Sequence, residues 1–479
     1  MGSTAEDLHT VPFLIGGKEV HPEKSFEVVN PATGKVVHRC GAASEKEVKA
    51  AVEAASKAFK TWKNTTPKSR RDILFKAASV IERRKEELAG YMVAETGCSQ
   101  HWAEFNLKVA QDLIVDVAGR LATIEGSFPA TETEGVGALV LREPFGVVLA
   151  IAPWNAPYIL GIRSVVFPLA AGNTVILKGT ELAPRVMWAI ADVLREAGVP
   201  DGAVNVLVHE PSAAAEITQS LIANPEIKKI NFTGSTVVGR IIAKLAGENL
   251  KPVLLELGGK NPAIVWEDAD LDLAAIECAK GSFLNSGQIC MATDRILVHK
   301  KVRAEFEDKL KKAIDQIFGP QTEAPVLIHA PSVDKNKKLL NDAVSKGAKV
   351  LYGDINAEEP SKTRMRPVVI SDVTPNMDIY QTESFGPSVA LYDIETEEEA
   401  LRIANDTEYG LSSAVFTEDL RRGLRFAKEI ETGAVHINHM TVHDESALPH
   451  GGAKASGYGR FNSFAINEWV RTKTVTFKM

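Results

Sequence analysis

The chain has 479 residues, which is enough for roughly two to four domains with clefts between them. Its 55 basic and 62 acidic side chains give a net charge of −7 without a lysine–arginine cluster, so we expect neither nucleic acid nor a membrane surface as partner. No apolar run reaches the roughly 18–20 residues that cross a bilayer, and the polar N-terminus contains no secretory signal.

The first part of the chain predicts short β structure followed by helices. Residues 13–20 contain the turn Gly16-Gly17 and predict a hairpin, and residues 26–29 predict another strand. Ser44 and Glu47 form a capping box that opens a helix. Steps of three and four residues predict one buried face on it, made by Val48, Val52, Ala55, Phe59 and Trp62. Further helices are predicted at about residues 69–97 and 102–124.

From residue 144 onward, short apolar runs alternate with helical stretches. Strands are predicted at residues 146–151, 174–177, 203–208 and 229–232, with helices at about 157–171, 184–197 and 211–223. This alternation predicts a doubly wound, mostly parallel sheet. A second α/β region, about residues 262–435, has predicted strands near 263–265, 295–298 and 434–437. Residues 469–478 predict a terminal strand that pairs with a neighbouring subunit.

The four cysteines stand far apart and contain no CxxC pair. This spacing is typical of free thiols in a reducing compartment, so we predict a cytoplasmic protein without a bound metal ion. Cys290 differs from the others because it follows a stretch of Asn, Ser, Gly and Gln, where the chain turns. A thiol exposed there and close to backbone N–H groups would be reactive, whereas the alternative is a buried structural cysteine like Cys278.

Two further polar residues stand in unusual surroundings. Glu256 lies between two leucines and before Gly258-Gly259, where loss of hydration would raise its pKa and prepare a general base. Asn155 is held between Pro153 and Pro157 and could donate an amide N–H to an oxyanion. The alternatives are a surface glutamate and an ordinary turn residue.

A glycine-containing junction between strand and helix spans residues 232–239. Gly234 and Gly239 would let a phosphate approach the helix N-terminus, although this is not the GxGxxG fingerprint.

Together, these segments resemble the aldehyde dehydrogenase superfamily, and within it the salicylaldehyde, vanillin and benzaldehyde dehydrogenase branch. The resemblance runs from residues 30–34 to the glycine-rich residues 451–460, with a further match at residues 383–387. Glu256 and Cys290 stand 34 residues apart, as in the family. The resemblance implies an α/β aldehyde dehydrogenase fold with a Rossmann-like cofactor domain, an α/β catalytic domain and a small β oligomerisation element.

The resemblance also implies a mechanism. Cys290 would attack the aldehyde carbon to form a thiohemiacetal, whose oxyanion the Asn155 side chain and the Cys290 backbone N–H would hold. Hydride transfer to the nicotinamide would leave a thioester, and water activated by Glu256 would hydrolyse it to the acid.

The family's cofactor contacts carry over as well. Lys178 and Glu181 would contact the adenosine ribose, and the Glu181 carboxylate would repel a 2′-phosphate, so we expect NAD rather than NADP. The other contacts implied are Gly234, Ser235 and Gly239 at the pyrophosphate, Trp154 and Leu257 beside the nicotinamide, and Glu383 and Phe385 at its ribose. Two segments depart from the family pattern: Gly179-Thr180 replace a frequent Pro-Ser, and residues 208–211 lack the usual glycines.

Four residues are candidates for the substrate tunnel. Helical counting from Asn155 places Ile159 and Arg163 near its face, and Trp102 and His450 match tunnel positions in the family. An aromatic wall with a guanidinium fork suits an aromatic aldehyde. Alternatively, Arg163 pairs with an acid elsewhere or binds the carboxylate of a semialdehyde.

The resemblance implies domain bounds and an assembly. We predict a cofactor domain at residues 8–124 and 144–254, a catalytic domain at 255–440, and an oligomerisation element at 125–143 and 456–479 that builds a homodimer or a dimer of dimers. Two rival functions remain, an acylating dehydrogenase that uses coenzyme A and a non-catalytic member of the fold. Glu256 argues against the first and intact Cys290 against the second.

Overall fold

The computed structural model describes residues 9–479. The predicted domain start at residue 8 and most of the N-terminal segment that is expected to carry no secretory signal lie outside the described residues. The architecture in that range is α/β. Its strands are β1 (Thr10–Val11), β2 (Phe13–Ile15), β3 (Lys18–Val20), β4 (Lys24–Val29), β5 (Val36–Ala42), β6 (Val136–Pro144), β7 (Val147–Ile151), β8 (Thr174–Lys178), β9 (Val204–Leu207), β10 (Ile227–Thr233), β11 (Val253–Glu256), β12 (Asn261–Val265), β13 (Thr293–His299), β14 (Lys349–Tyr352), β15 (Val368–Ser371), β16 (Ser388–Ile394), β17 (Tyr409–Gly410), β18 (Ala414–Phe416), β19 (His436–Ile437), β20 (Ala453–Lys454), β21 (Gly457–Tyr458) and β22 (Val470–Lys478).

Helices connect most of these strands. They are α1 (Glu45–Trp62), α2 (Pro67–Arg83), α3 (Lys85–Thr96), α4 (Gln100–Arg120), α5 (Pro157–Ala170), α6 (Pro184–Glu196), α7 (Ala214–Ala223), α8 (Thr236–Glu248), α9 (Leu271–Phe283), α10 (Arg303–Phe318), α11 (Ala330–Ser345), α12 (Asp378–Gln381), α13 (Glu397–Asn405) and α14 (Leu420–Glu429). The capping box predicted before α1 is confirmed, because Glu47 accepts the Ser44 backbone N–H at 2.9 Å. The predicted stripe of α1 is buried except for Phe59, which is half-buried.

The first sheet has eight strands in the order β21-β11-β10-β7-β8-β9-β2-β3. Its five central strands, from β11 to β9, run parallel, and the three outer ones are antiparallel to their neighbours. Every residue of β7 and β8 is buried, as expected when helices cover a parallel sheet. The predicted doubly wound α/β sheet is therefore confirmed, with strand ends shifted by only a few residues.

The second sheet has seven strands in the order β14-β15-β16-β13-β12-β18-β19, and only β14 is antiparallel. It contains the strands predicted at residues 263–265 and 295–298. The strand predicted at residues 434–437 is wrong in length, because only His436–Ile437 pair and Asn438 then adopts a φ of 56°. A left-handed residue turns the chain out of the extended conformation and ends the strand.

Strands β6 and β22 form a separate two-stranded antiparallel ribbon. The terminal strand predicted at residues 469–478 is confirmed, and one of its edges pairs with β6 of the same chain; its pairing with a neighbouring subunit stays a prediction. Opposite β6, Ser127 makes an isolated bridge to Val140. Because β21 pairs with β11, the start of the predicted segment 456–479 belongs to the first sheet; the other domain bounds stay predictions.

The fold brings the predicted chemistry to one edge of the first sheet. Strands β7, β8, β10 and β11 run parallel, so their carboxyl ends lie side by side. Asn155 follows β7, Ser235 follows β10, and Glu256 ends β11. Ligands of open α/β sheets bind outside this edge. None of the helices found in residues 9–479 is both apolar and long enough to traverse a bilayer.

Candidate active site

A cleft of about 330 Å³ lies at this edge of the first sheet. It brings together nine of the predicted site residues, namely Trp154, Asn155, Gly234, Ser235, Glu256, Leu257, Cys290, Glu383 and Phe385. The other seven, Trp102, Ile159, Arg163, Lys178, Glu181, Gly239 and His450, do not line it. Within residues 9–479, no three His, Cys, Asp or Glu side chains are grouped closely enough to hold a metal ion.

The loop before Cys290 has an uncommon backbone. Asn285, Ser286 and Gly287 are consecutive left-handed residues, with φ values of 49°, 61° and 70°. For the two non-glycine residues such a conformation costs about 1–3 kcal/mol each, so the surroundings must hold it. Ser286 Oγ donates to the Val326 carbonyl at 2.8 Å, and Asn285 Nδ2 donates to the Asn155 carbonyl at 3.1 Å. These bonds stabilise the turn that places Cys290 in the cleft.

The Cys290 thiol is partly exposed in the cleft and is not a ready-made thiolate. Burial raises the pKa of Cys290 to about 12, and the carboxylates of Glu256 and Glu383 add to the rise against the attraction of Arg163. The turn before Cys290 therefore gives the thiol access to the cleft, but it does not lower the pKa of the thiol. The reactivity predicted for Cys290 requires a further source of positive charge or a proton acceptor.

Alkylation of the cofactor-free protein at Cys290 should consequently accelerate about tenfold per pH unit between pH 7 and pH 9, because the thiolate fraction grows tenfold per unit below the pKa. Iodoacetamide labelling followed by peptide mass spectrometry measures this rate at Cys290 alone. The Cys98 peptide of the same sample is the internal control, since Cys98 is also partly exposed. A plateau of the Cys290 rate below pH 9 would contradict the raised pKa.

Asn155 is anchored by its backbone and presents its side chain to the cleft. Its carbonyl accepts the Trp102 indole N–H at 3.1 Å as well as the Asn285 amide. Its side-chain Nδ2 donates to the Gln288 carbonyl at 3.0 Å. An amide nitrogen carries two N–H groups, so one remains for an oxyanion on a substrate bound to Cys290.

Glu256 is buried, with 2% of its surface exposed. Its Oε2 lies 2.9 Å from His450 Nε2, whereas its Oε1 contacts no hydrogen-bond partner. Burial alone raises the pKa of Glu256, but the attraction of His450, Arg163 and Arg460 outweighs burial and holds the pKa below its usual range. The raised pKa predicted from the two flanking leucines is therefore wrong, because sequence neighbours do not reveal the basic groups that the fold brings near. Glu256 is a carboxylate at neutral pH.

Arg163 is also buried, with 1% of its surface exposed, and forms an ion pair with Asp444. Its guanidinium lies 5.8 Å from the centre of the Phe461 ring. The structure therefore contains the ion pair with an acid that was one of the alternatives for Arg163. The positive charge is already matched, so it is not available as a free fork for a substrate.

The other tunnel candidates lie beneath the cleft. Trp102 and Ile159 are buried, and the Trp102 ring stacks on Phe105 at 5.3 Å between centroids. His450 is buried next to Glu256. Leu160, rather than Ile159, reaches the cleft lining, because α5 begins at Pro157 and not at Asn155.

One side of the cleft is where the sequence predicts that a nicotinamide binds, and this predicted nicotinamide side depends on close backbone approach. A Cβ on Gly258 would lie 2.6 Å from Glu383 Oε2, and one on Gly259 would lie 2.4 Å from the Cys290 carbonyl oxygen. Gly259 is therefore required, because the atom in its way is backbone, whereas at Gly258 the Glu383 side chain would have to move. The Gly259 N–H donates to Glu383 Oε1 at 2.9 Å. Burial raises the pKa of Glu383 to about 7. Trp154 and Phe385 meet edge to face at 6.0 Å and form an aromatic wall.

The phosphate and ribose candidates lie farther along the sheet edge. Ser235 caps α8 and is exposed, so the first N–H groups of the helix remain accessible to an anion. A Cβ on Gly239 would lie 2.4 Å from Leu257, so this glycine serves helix packing. Lys178 ends β8, and its Nζ lies 2.6 Å from His209 Nε2. Burial lowers the pKa of Lys178 to about 8, against the opposing attraction of Glu181. His209 thus occupies space where the family pattern has glycine.

Several cleft residues were not predicted from the sequence. They come mainly from the start of α11 and its neighbours and include His329, Ser332, Lys335 and Asn336. Lys335 Nζ donates to the Glu383 carbonyl at 2.8 Å, which ties α11 to the nicotinamide side. No motif marks this segment; a helix beginning after His329 is the only local signal.

Comparisons with known proteins support the family resemblance that the sequence shows. The aldehyde dehydrogenase family profile matches residues 19–475. The chain is 41% identical to a vanillin dehydrogenase of Pseudomonas fluorescens over 98% of both chains. A salicylaldehyde dehydrogenase structure from Pseudomonas putida G7, complexed with salicylaldehyde, has a TM-score of 0.94, 37% identity and 98% coverage of both chains. An NADP-dependent enzyme structure from E. coli has a TM-score of 0.94, 31% identity and 99% coverage of both chains. The predicted fold is therefore confirmed, and the likeness covers every residue of the cleft.

Proposed function

Because the chain belongs to the aldehyde dehydrogenase family, we propose that it oxidises an aromatic aldehyde to the carboxylic acid with NAD as hydride acceptor, through a thioester on Cys290. The observation that carries the proposal is one cleft lined by Cys290, Glu256 and Asn155 together with the residues expected at a nicotinamide. A thiol and a buried carboxylate with a free oxygen are the two groups that thioester formation and hydrolysis need.

In the first half-reaction, Cys290 gives its proton to water, and its sulfur attacks the aldehyde carbon. The resulting oxyanion accepts hydrogen bonds from the free side-chain N–H of Asn155 and from the backbone N–H of Cys290. A bound NAD supplies the hydride acceptor. Departure of the hydride from the thiohemiacetal carbon lets its C–O bond become double again, which leaves a thioester on Cys290.

In the second half-reaction, water attacks the thioester carbon while Glu256 accepts one of its protons at Oε1. The C–S bond then breaks, the acid leaves and the Cys290 thiolate is regenerated. Since Glu256 is already ionised at neutral pH, it can accept this proton without first losing one. An acylating dehydrogenase would not need Glu256, which argues against transfer to coenzyme A.

Three observations favour an aromatic substrate over a semialdehyde. The relatives cited above act on vanillin and on salicylaldehyde, according to their names. Arg163 is neutralised by Asp444, so it offers no unpaired charge to a substrate carboxylate. Trp154, Phe385 and Leu160 add apolar walls that suit a planar ring.

The preference for NAD rests on Glu181. It follows Lys178 by three residues and is half-buried, and its carboxylate would repel the 2′-phosphate of NADP. We further propose a cytoplasmic homodimer, or a dimer of dimers, assembled through the β6–β22 ribbon. Leu139, Leu141, Val475 and Phe477 of that ribbon are exposed large apolar side chains, which is typical of a surface that is covered on assembly.

A substrate panel tests the proposal. We expect kcat/KM for salicylaldehyde or vanillin to exceed that for a C3–C6 aliphatic aldehyde or succinic semialdehyde by about tenfold or more, with NAD preferred over NADP. NADH absorbance measures each rate. A tenfold preference for an aliphatic aldehyde or a semialdehyde would contradict the aromatic assignment. Absence of NADH formation with every aldehyde would contradict the catalytic one.

A further inference from the structure

Among the residues that the structure describes, the carboxylate of Glu256 has a single side-chain partner, and that partner is a histidine. His450 Nε2 lies 2.9 Å from Glu256 Oε2, and both side chains are buried, with relative exposures of 10% and 1%. The two residues come from distant parts of the chain, since Glu256 ends β11 and His450 precedes Gly451-Gly452. The other carboxylate oxygen, Oε1, is buried and has no hydrogen-bond partner.

The second nitrogen of the imidazole faces another acid. His450 Nδ1 lies 3.6 Å from Asp444 Oδ1, and the same oxygen accepts the Asn462 amide at 2.9 Å. The other oxygen of Asp444 pairs with Arg163 on α5. The backbone of His450 is held as well, by a bridge to Phe461. The imidazole of His450 therefore lies between two carboxylates, and Asp444 is itself held by Arg163 and by the Asn462 amide.

We propose that His450 is a positioning residue for the general base: its Nε2–H donates to Glu256 Oε2 and leaves Oε1 free to take the proton of the hydrolytic water. The proposal rests on the proposed thioester mechanism and adds to it the group that orients Glu256. Asp444 has the corresponding task for His450, because its Oδ1 lies beside Nδ1 and is itself held by the Asn462 amide.

This arrangement also sets the charge of the base. The charged or titratable groups that face Glu256 are His450, Arg163, Arg460 and the Cys290 thiol. Those that face His450 are Glu256, Asp444 and the half-buried His436. Besides burial, which raises the pKa of Glu256, His450 exerts the largest opposing influence. Removal of His450 must therefore raise the pKa of Glu256, and a protonated Glu256 cannot accept a proton from water.

Two substitutions separate orientation from charge. His450→Phe removes the donor and keeps a planar ring, whereas His450→Gln keeps an uncharged N–H donor of similar reach. The rapid first release of NADH reports thioester formation, and the slower steady rate with benzaldehyde and NAD reports hydrolysis. Both are measured by stopped flow from pH 4 to pH 9, so that the range includes the acid limb, with the thermal unfolding midpoint as the check on folding.

For His450→Phe, we expect the first release of NADH to stay within about threefold, the steady rate at pH 8 to fall by about tenfold or more because Glu256 is no longer oriented, and its acid limb to move up by about one pH unit. His450→Gln should recover most of the steady rate at pH 8 but retain the shifted acid limb. His443→Gln is the matched control, because His443 contacts Glu445 rather than Glu256 and should leave the acid limb in place.

An unmoved acid limb in both His450 variants would overturn the proposal. A raised KM for benzaldehyde with an unchanged acid limb would make His450 a wall of the substrate tunnel instead, which also overturns it. If His450→Phe does not fold, the acid limb of His450→Gln alone decides. Failure of the parent protein to release NADH at all would instead contradict the proposed function, so the two failures are distinguishable.

Discussion

Replacing Cys290 with alanine is expected to abolish aldehyde oxidation, with kcat falling by on the order of 10⁴-fold or more. The chemistry has no other thiol to use, because the cleft contains Cys290 alone among the cysteines of the described residues. Alanine removes only the sulfur, so binding of NADH should persist and can be followed by its fluorescence. NADH absorbance in the presence of benzaldehyde and NAD measures the loss.

The matched control is Cys98→Ala. Cys98 is partly exposed but lines a different cavity, on the other side of Asn285 and Ser286. This variant should keep the parent rate within about threefold. Turnover of Cys290→Ala at a rate near that of the parent would contradict the whole mechanism.

Replacing Glu256 with glutamine should separate the two half-reactions. Glutamine has the shape of glutamate but cannot accept a proton from water, so the thioester forms and then persists. We expect a burst of about one NADH per active site, followed by a steady rate that is about 10²–10⁴-fold below that of the parent. Stopped-flow absorbance measures both phases, and intact mass spectrometry should detect the acylated Cys290.

Glu383→Gln is the comparison for that experiment, since the same substitution is made in the same cleft. Glu383 accepts the Gly259 N–H and lies where the nicotinamide ribose is predicted to bind, so its loss should raise KM for NAD without slowing hydrolysis of the thioester. A full steady rate in Glu256→Gln, or an equal fall of the steady rate in both variants at saturating NAD, would show that Glu256 is not the base.

Much of the scaffold could be predicted because its determinants are local. The buried strands β7 and β8 consist mostly of consecutive apolar residues. The capping box formed by Ser44 and Glu47 marks the start of α1. The site residues could be named because Cys290 and Glu256 each stand in a segment with a family resemblance. Both kinds of signal are contained within about ten neighbouring residues.

What could not be predicted depends on residues that are far apart in the chain. Glu256 and His450 are separated by nearly two hundred residues, and Arg163 and Asp444 by even more. The pKa of Glu256 was therefore predicted in the wrong direction, since leucine neighbours suggest desolvation and say nothing of His450. Lys335 was missed for a similar reason, because its contact with the Glu383 carbonyl exists only once α11 is docked.

The carbonyl of Asn155 accepts hydrogen bonds from Trp102 on α4 and from Asn285 in the loop before Cys290. One peptide oxygen thus joins the helix predicted to border the substrate to the turn that carries the sulfur. We therefore expect substrate selectivity and the rate of turnover to be coupled through this oxygen. Enlarging the tunnel at Trp102 to admit bulkier rings would also loosen the nucleophile's loop, so broader substrate scope should come with slower chemistry on every aldehyde. Redesign of the tunnel is better started at Leu160, which lines the cleft without sharing that oxygen.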